Sequence, residues 1–531
     1  MDRSSQRSGF KSSLMQFLFV VLLVFSVASV EVRPKLKSII QQIPDIRTKS
    51  QEILDGVSQR YIPQNYEPQN IQLEYSSSKS IKSSKFATIF PFAAELAIGS
   101  FLSAILMDTM PLSVMFGSEC LFLLYIITIT ELFFNKPKQM DAYSGDREWE
   151  FIWKEALRSV SSNPRDWFRS WFLDENISFE DITFEDAFDF LTWAMYLTKP
   201  DQLTPEQSLQ VLNSLQLIER STDWSFPHRL DRKPLESMRS TIEPIKWIHK
   251  PAAFYMVTQG LFGKGFEAVM KNSGFEEVER TGFKYWIRKS ISAPLSPPIV
   301  FFHGVGGLPA YIKLIQGFGE ERNIVVLEMP YVSLHVEPNV PTIQDHIDWY
   351  KSMLSENNWQ KGTIIGHSWG TNVCSWIIQS VPNQIQSIIL LDPVCLMLHL
   401  NTITKGWFYD GDKSTKPNES ILSSVVGLVK TELFTVNTLQ RRLVWSRNIL
   451  FPSEIQAAKV PTAVIVSTID KIVPSSEVVR QINEHNRDFG ADSDIRIYEL
   501  EGSEHGGCVF ETGFRDTVLD IIKKELERKI L

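Results

Sequence analysis

The C-terminal half of the sequence predicts an α/β fold: a doubly wound, mostly parallel sheet with a helical cap, preceded by transmembrane helices and a helical bridging region. Three observations predict the sheet. Short apolar runs rich in β-branched residues alternate with helical patterns from Ile299 onward, the pattern of parallel strands joined by crossover helices. Several of these runs end on glycines or acids, and functional groups in such sheets collect at the carboxyl ends of strands. The third observation is Thr363 to Gly370. A β-branched run reaches Gly366, Ser368 follows at a corner, and Val373, Trp376 and Ile377 then fall at helical spacing. In a G-x-S-x-G elbow of this kind, a strained strand-to-helix turn lifts a serine hydroxyl above the sheet. The two glycines are needed because so tight a turn leaves no room for Cβ atoms two residues either side of the serine.

Composition narrows the function classes. The chain has 531 residues, a formal net charge of -8 and 43% hydrophobic residues, enough for two or three units with a sizeable core. The charge gives no sign of a nucleic-acid partner, and there is no basic, aromatic-rich patch. Cys120, Cys374, Cys395 and Cys508 show no paired spacing, so neither a disulfide framework nor a zinc site is supported. No cofactor and no metal are expected.

The N-terminal part reads as membrane-associated. Arg3, Arg7 and Lys11 precede an apolar run from Leu14 to Val30, which makes residues 1–30 a signal anchor or signal peptide. The run is long for a cleaved segment and short for a full span, so both readings stay open. Residues 31–85 form a polar linker. Phe86 to Met107 and Leu112 to Phe134 are each long enough to span a bilayer. With Asp108-Thr109-Met110-Pro111 as the turn between them, residues 86–134 are expected to be a transmembrane helical hairpin. A multi-pass membrane location follows, with the endoplasmic reticulum as the candidate compartment. Lys82, Lys85, Lys136 and Lys138 flank the hairpin and place both its ends in the cytosol. A spanning first segment would instead place the rest in the lumen, where the sequons at Asn176 and Asn418 could be used.

Residues 146–270 are rich in tryptophan and charge. Asp186, Phe190, Leu191 and Ala194 fit one helix face, and Thr204-Pro205 reads as an N-cap followed by proline at the first helical position. No recognisable chemistry lies here, and a helical cap or docking layer is expected. Ile245 to Met270 is apolar enough to lie along a membrane surface or to pack onto the sheet domain.

Residues 275–531 carry the strands and the chemistry. Thr281 to Lys289 alternates as a strand. Ile299 to Phe302 is a buried strand followed at once by His303-Gly304-Val305-Gly306-Gly307. Strands at Ile324 to Glu328, Ser387 to Leu391, Thr462 to Ser467 and Ile495 to Leu500 follow, with a helix at Thr342 to Glu356 and the elbow among them. The last two end in Asp470-Lys471-Ile472-Val473-Pro474 and Ser503-Glu504-His505-Gly506. A serine hydroxyl is a poor nucleophile at neutral pH without a base. Ser368, Asp470 and His505 therefore read as nucleophile, orienting acid and general base. Asp392 also ends a strand and is the rival acid. Residues 394–453, inserted between two strands, are rich in apolar and aromatic side chains such as Trp407, Leu428 and Leu443, as expected of a lid over a greasy pocket.

Together the four motifs, at His303 to Gly307, Gly366 to Gly370, Asp470 to Pro474 and Ser503 to Gly506, resemble those of the α/β-hydrolase superfamily in its AB-hydrolase-1 branch. The whole chain is similar to membrane-anchored eukaryotic members with N-terminal hydrophobic segments. The resemblance implies an oxyanion hole made by the backbone N–H groups of Val305 and Trp369, whose neighbouring glycines let the main chain approach a developing negative charge. It favours Asp470 over Asp392 as the acid, since it lies one strand before the histidine. With serine rather than aspartate at the elbow, a carboxylate nucleophile is disfavoured. The expectation is a membrane-anchored serine hydrolase cleaving a carboxylic ester. The apolar lid and membrane segments favour an acyl lipid or other apolar ester as its partner. An acyltransferase with the same nucleophile and a non-catalytic membrane scaffold are the alternatives.

Overall fold

The computed structural model describes residues 110–136, 143–229, 231–410, 421–490, 493 and 495–528. The expected anchor at 1–30, the linker at 31–85 and the first arm of the hairpin at 86–109 lie outside the described residues. The chain divides into two compact units, residues 1–134 and 135–531. In the first, Met110–Ile129 is an α-helix that continues as a π-helical turn, Thr130–Phe134. Met110 and Pro111, the last two residues of the expected Asp108 to Pro111 turn, are helical. Among the described residues, Gly117–Phe134 is the single stretch long and apolar enough to cross a membrane, with a mean hydropathy of 1.6.

The second unit is built on an eight-stranded sheet. Its strands are β1 (Glu276–Arg280), β2 (Phe283–Arg288), β3 (Ile299–Phe302), β4 (Ile324–Leu327), β5 (Gly362–His367), β6 (Ile385–Leu391), β7 (Thr462–Ser467) and β8 (Ile495–Leu500). They lie in the order β1-β2-β4-β3-β5-β6-β7-β8. β1 and β2 run antiparallel and the other six are parallel. The strand expected over Thr281 to Lys289 is β2, and it pairs with β1, which precedes that span, in a hairpin. Thr281 and Gly282 form its turn, both with positive φ (51° and 76°), a two-residue geometry that matches the twist of paired strands.

Both faces of the sheet are covered, and the strands show it residue by residue. Val300, Phe302 and Ile364 enter one core with Trp349 and Tyr350 of helix Ile343–Glu356 and Val373 and Ile377 of helix Gly370–Ser380. Ile299, Phe301 and Ile365 enter the other with Phe266, Leu314 and Val518. Alternate side chains of a strand point to opposite faces, so runs buried on both sides read as continuously apolar.

The tryptophan-rich helices, Trp149–Ser159, Pro164–Arg169, Phe184–Tyr196 and Pro205–Thr222, share the first of these cores with the insertion. Thr204 caps the last of them with a reciprocal bond to Gln207. The rings of Trp153 and Trp445 lie 5.1 Å apart. The Trp445 indole donates to the Ala194 carbonyl (2.9 Å) and that of Trp167 to the His399 carbonyl (2.8 Å). Within the insertion, helix Leu433–Arg442 is held from outside by the buried Arg441, whose guanidinium donates to the carbonyls of Ser240, Thr241 and Glu243. Gln440 also reaches the Ser240 and Glu243 carbonyls, so Thr241 depends on Arg441 alone among the described residues. Arg441→Met keeps most of the side-chain volume but orphans that carbonyl. It should cost about 2 kcal/mol, read as a lower urea midpoint with an unchanged slope.

Candidate active site

The elbow takes the shape its sequence predicts. β5 ends at His367 and helix Gly370–Ser380 begins three residues later. Between them Ser368 sits at φ 52°, in the left-handed region that costs a non-glycine residue energy and concentrates at functional sites. Close approach explains the glycines. A Cβ on Gly370 would lie 2.2 Å from the Phe302 carbonyl oxygen, and one on Gly366 would lie 2.7 Å from the Gly370 oxygen.

Three strand ends bring Ser368, His505 and Asp470 together. Ser368 Oγ lies 2.9 Å from His505 Nε2, and His505 Nδ1 lies 2.7 Å from Asp470 Oδ2. A carboxylate only accepts, so Nδ1 carries the proton and Nε2 is left to accept from the serine. Asp470 is itself held: its Oδ1 accepts from the N–H groups of Ile472 (2.7 Å) and Val473 (2.9 Å). Burial works against a charged imidazole, but the adjacent Asp470 carboxylate outweighs it and lifts His505 above the ordinary histidine value.

Asp392, the rival acid, lies at the end of β6, fully buried and with its own positive φ of 43°. It does not bond to His505. Its Oδ1 accepts from Ser467 N–H (2.9 Å), three residues before Asp470, and its Oδ2 from Gly506 N–H (2.8 Å), directly after His505. One carboxylate therefore ties together the two loops that carry Asp470 and His505. Burial raises the cost of its charge, yet the facing His367, His505 and the Gly506 N–H hold its carboxyl below the usual range. Two residue groups, Asp392 with Asp470 and His505, and His367 with Asp392 and Cys508, have ligand-type atoms within 4.8 Å of one another. All four oxygens of Asp392 and Asp470 already accept from N–H donors, which fits a hydrogen-bonded anion network better than a metal cage.

On the other side of Ser368, a second relay shapes the loop after β3. Tyr311 Oη accepts from Gly304 N–H (2.9 Å) and faces His367 Nδ1 (2.7 Å), while His367 Nε2 faces Asp392 at 3.6 Å. His303 accepts from Met329 N–H through Nε2 (3.1 Å), and burial pushes its pKa down to about 4, so it braces the loop as a neutral ring. The loop lies against the elbow: a Cβ on Gly304 would come within 2.9 Å of Ser368 Cβ. The backbone N–H groups of Val305 and Trp369 donate to no other group among the described residues. Both residues line the cavity over Ser368.

That cavity is about 30 Å³, room for a water molecule or two. Its apolar walls are Val394, Ile403, Trp407, Leu439, Leu443 and Ile472, five of them from the insertion. Neither His335 nor His399 lines it. His399 is buried among the tryptophans and its Nε2 faces Ser159 Oγ (2.6 Å). Tyr311 and the tethering by Asp392 were missed from sequence. Tyr311's one signal is its place in the turn Leu308–Tyr311 directly after the glycine-rich loop.

A family model described as alpha/beta hydrolase fold matches residues 297–415, from just before β3 through the elbow into the insertion. Comparison with curated protein sequences finds no match. Among solved structures, the chain is similar to a bacterial membrane phospholipase A (13% identity, TM-score 0.39, 51% of this chain and 92% of that one). It is also similar to a carboxylesterase from the thaumarchaeon Nitrososphaera gargenis (18%, 0.35, 48% and 99%) and to carboxylesterase CesB from Bacillus subtilis (11%, 0.36, 51% and 100%). With β3, the glycine-rich loop, the elbow and the mostly parallel sheet in place, the C-terminal part of this chain has the alpha/beta hydrolase fold.

Proposed function

We propose that the protein is a membrane-anchored serine hydrolase that cleaves carboxylic esters of apolar acyl chains through an acyl-enzyme. The observation that carries this reading is the hydrogen-bonded series Asp470–His505–Ser368, set beside two unbonded backbone N–H groups under an apolar cap. In the first step Ser368 Oγ attacks the ester carbonyl carbon and His505 Nε2 takes the hydroxyl proton. The carbonyl oxygen, now an anion, is met by the Val305 and Trp369 N–H groups. Collapse breaks the bond to the alkoxy group, which leaves as an alcohol with the proton from His505. Water then repeats the sequence on the acyl-serine and releases the acid. Asp470 keeps the ring oriented and stabilises its charged form without taking a proton. The apolar walls support an acyl chain, and Gly117–Phe134 supports attachment to the membrane that would supply it.

The test is product analysis. Detergent-solubilised full-length protein given a long-chain monoester should release free fatty acid and alcohol in equal amounts. A protein that binds the ester and releases neither would sink the proposal. The small cavity with its apolar walls also favours a second reading, in which an alcohol rather than water accepts the acyl group. Adding an excess of a primary alcohol distinguishes them: new ester at the expense of free acid marks transfer.

A pH dependence follows. The base must be neutral to accept the serine proton, and Asp470 holds His505 above its ordinary value of 6.5. kcat/KM for a soluble ester should therefore rise with pH and level off above neutrality, with its midpoint on the alkaline side of 6.5. Asp470→Asn should move that midpoint down as well as lower the plateau.

A further inference from the structure

Beside the cap runs a helical stretch that the proposed reaction leaves unused. Ala252–Tyr255, the π-helical Met256–Phe262 and Gly263–Asn272 follow one another without a break. Its buried side holds Tyr255, Phe266 and Met270. Its outer side exposes Met256 (73%), Val257 (43%), Leu261 (67%) and Phe262 (57%), four large apolar side chains on consecutive turns. An apolar cluster of this kind marks an interaction surface.

Two observations indicate what covers it. The first is where the chain enters this unit. Asn135 follows the apolar segment Gly117–Phe134 directly, and its Oδ1 accepts from the Ile245 N–H at 3.0 Å. The entry point is thus seven residues from the start of the helical stretch. The second is charge. From Ile245 to Phe266 there is no acidic residue, and Lys246, Lys250 and Lys264 flank the apolar side chains. Apolar insertion combined with a basic border suits the headgroup region of an anionic bilayer.

We infer that the exposed face of Ala252–Asn272 is a lipid-docking surface that seats the second unit on an anionic membrane and bears directly on the cap over Ser368. The link to the cap is built from specific contacts. Ile248 N–H donates to the Thr431 carbonyl (2.9 Å), and Lys250 Nζ reaches Thr431 Oγ1 (3.1 Å). Tyr255 donates to Glu432 Oε1 (2.6 Å), the buried residue that caps helix Leu433–Arg442 through the Phe434 and Thr435 N–H groups. That helix carries Leu439, a wall of the small cavity over Ser368, and Leu443 follows it directly. A shift of the docked helix is therefore passed to the residues that must move before an ester can reach Ser368. The docking surface rests on the membrane attachment proposed above, and its bearing on the cap rests also on the esterase reading.

The experiment uses the full chain with Cys120→Ser, reconstituted into vesicles of mixed neutral and anionic phospholipid. One cysteine at a time is introduced as Leu261→Cys, Leu121→Cys or Leu209→Cys and labelled with an environment-sensitive fluorophore; Cys374, Cys395 and Cys508 are buried. Leu121 lies in the candidate span and Leu209 is an exposed residue on a distant helix. Nitroxide-bearing lipid should quench the labels at 261 and 121, and aqueous iodide only the one at 209. Quenching by lipid at 121 but not at 261 overturns the docking surface and leaves the anchor standing. A label at 261 quenched by iodide, or by neither agent because protein covers it, also overturns it. In parallel, Leu261→Asp with Phe262→Asp should lower the ratio of vesicle-borne to soluble-ester turnover by about ten-fold. An unchanged ratio counts against the link to the cap.

Discussion

Ser368→Ala should remove turnover of a soluble chromogenic ester almost entirely, by a factor of about 10⁶ in kcat, with little change in thermal stability. The loss is that large because the proposed acyl-enzyme has no other atom to form on. Water in place of the serine would have to reach the carbonyl through a cavity of about 30 Å³. The fold should survive. Alanine needs the same backbone conformation at φ 52° that serine already adopts, and among the described residues the hydroxyl bonds only to His505. A fluorophosphonate probe gives the sharpest measurement, since it reports on the nucleophile whatever the natural ester is. The native protein should label once, at Ser368, and the variant not at all. Labelling of the variant at the same rate would place the nucleophile elsewhere.

Much of this site is legible in the sequence because its parts are local. Each of Ser368, Asp470 and His505 ends a short apolar strand and lies in a turn whose composition sets it apart, and the order of the strands along the chain does the rest. The elbow glycines are legible for the same reason, as the backbone they crowd against belongs to Phe302 and Gly370, at neighbouring strand and helix ends. Where the sequence misleads, the cause is also local. β1 (Glu276–Arg280) is charged at four of its five positions and largely exposed, so it carries no apolar alternation to read.

Contacts between distant parts of the chain are not legible. Trp153 and Trp445 pack against each other across almost three hundred residues, and nothing in either neighbourhood points to the other. The tryptophan-rich stretch therefore reads only as a helical cap or docking layer, while in the structure its aromatic rings and carbonyls hold the insertion. Arg441 is similar: in sequence it is one basic residue of a helix end, and in the fold it anchors the loop Ser240 to Glu243. The small cavity over Ser368 has the same origin, since its walls come from the loop after β3, the elbow, the insertion and the loop after β7 together.

The two acids show most clearly what sequence leaves undecided, and they carry the second large prediction. Both end strands beside His505, and both are candidates to orient it. The geometry separates their tasks. Asp470 bonds to the ring, so Asp470→Asn should leave the fold intact and lower kcat by about 10³ to 10⁴, because the amide presents the wrong partner to Nδ1–H. Asp392 bonds to the backbone on either side of the pair, at Ser467 and Gly506. In Asp392→Asn one of those N–H groups must face an amide NH₂ instead of an oxygen, in a place with no access to solvent. Stability should fall by about 3 kcal/mol, and kcat by about a hundred-fold as the His505 loop loses its register. The pH profile discriminates between the roles. Asp470→Asn lowers the midpoint of kcat/KM because the carboxylate that outweighs burial at His505 is gone. Asp392→Asn leaves a midpoint still set chiefly by Asp470, with a lower plateau. Stability against pH gives an independent check. A buried carboxyl held below the usual range stabilises the fold at neutral pH, and that contribution disappears as pH falls through its folded value. The native protein should therefore lose stability below the ordinary carboxylate range more steeply than Asp392→Asn, which has already forfeited it. Equal acid sensitivity in the two would show that Asp392 is not the tether.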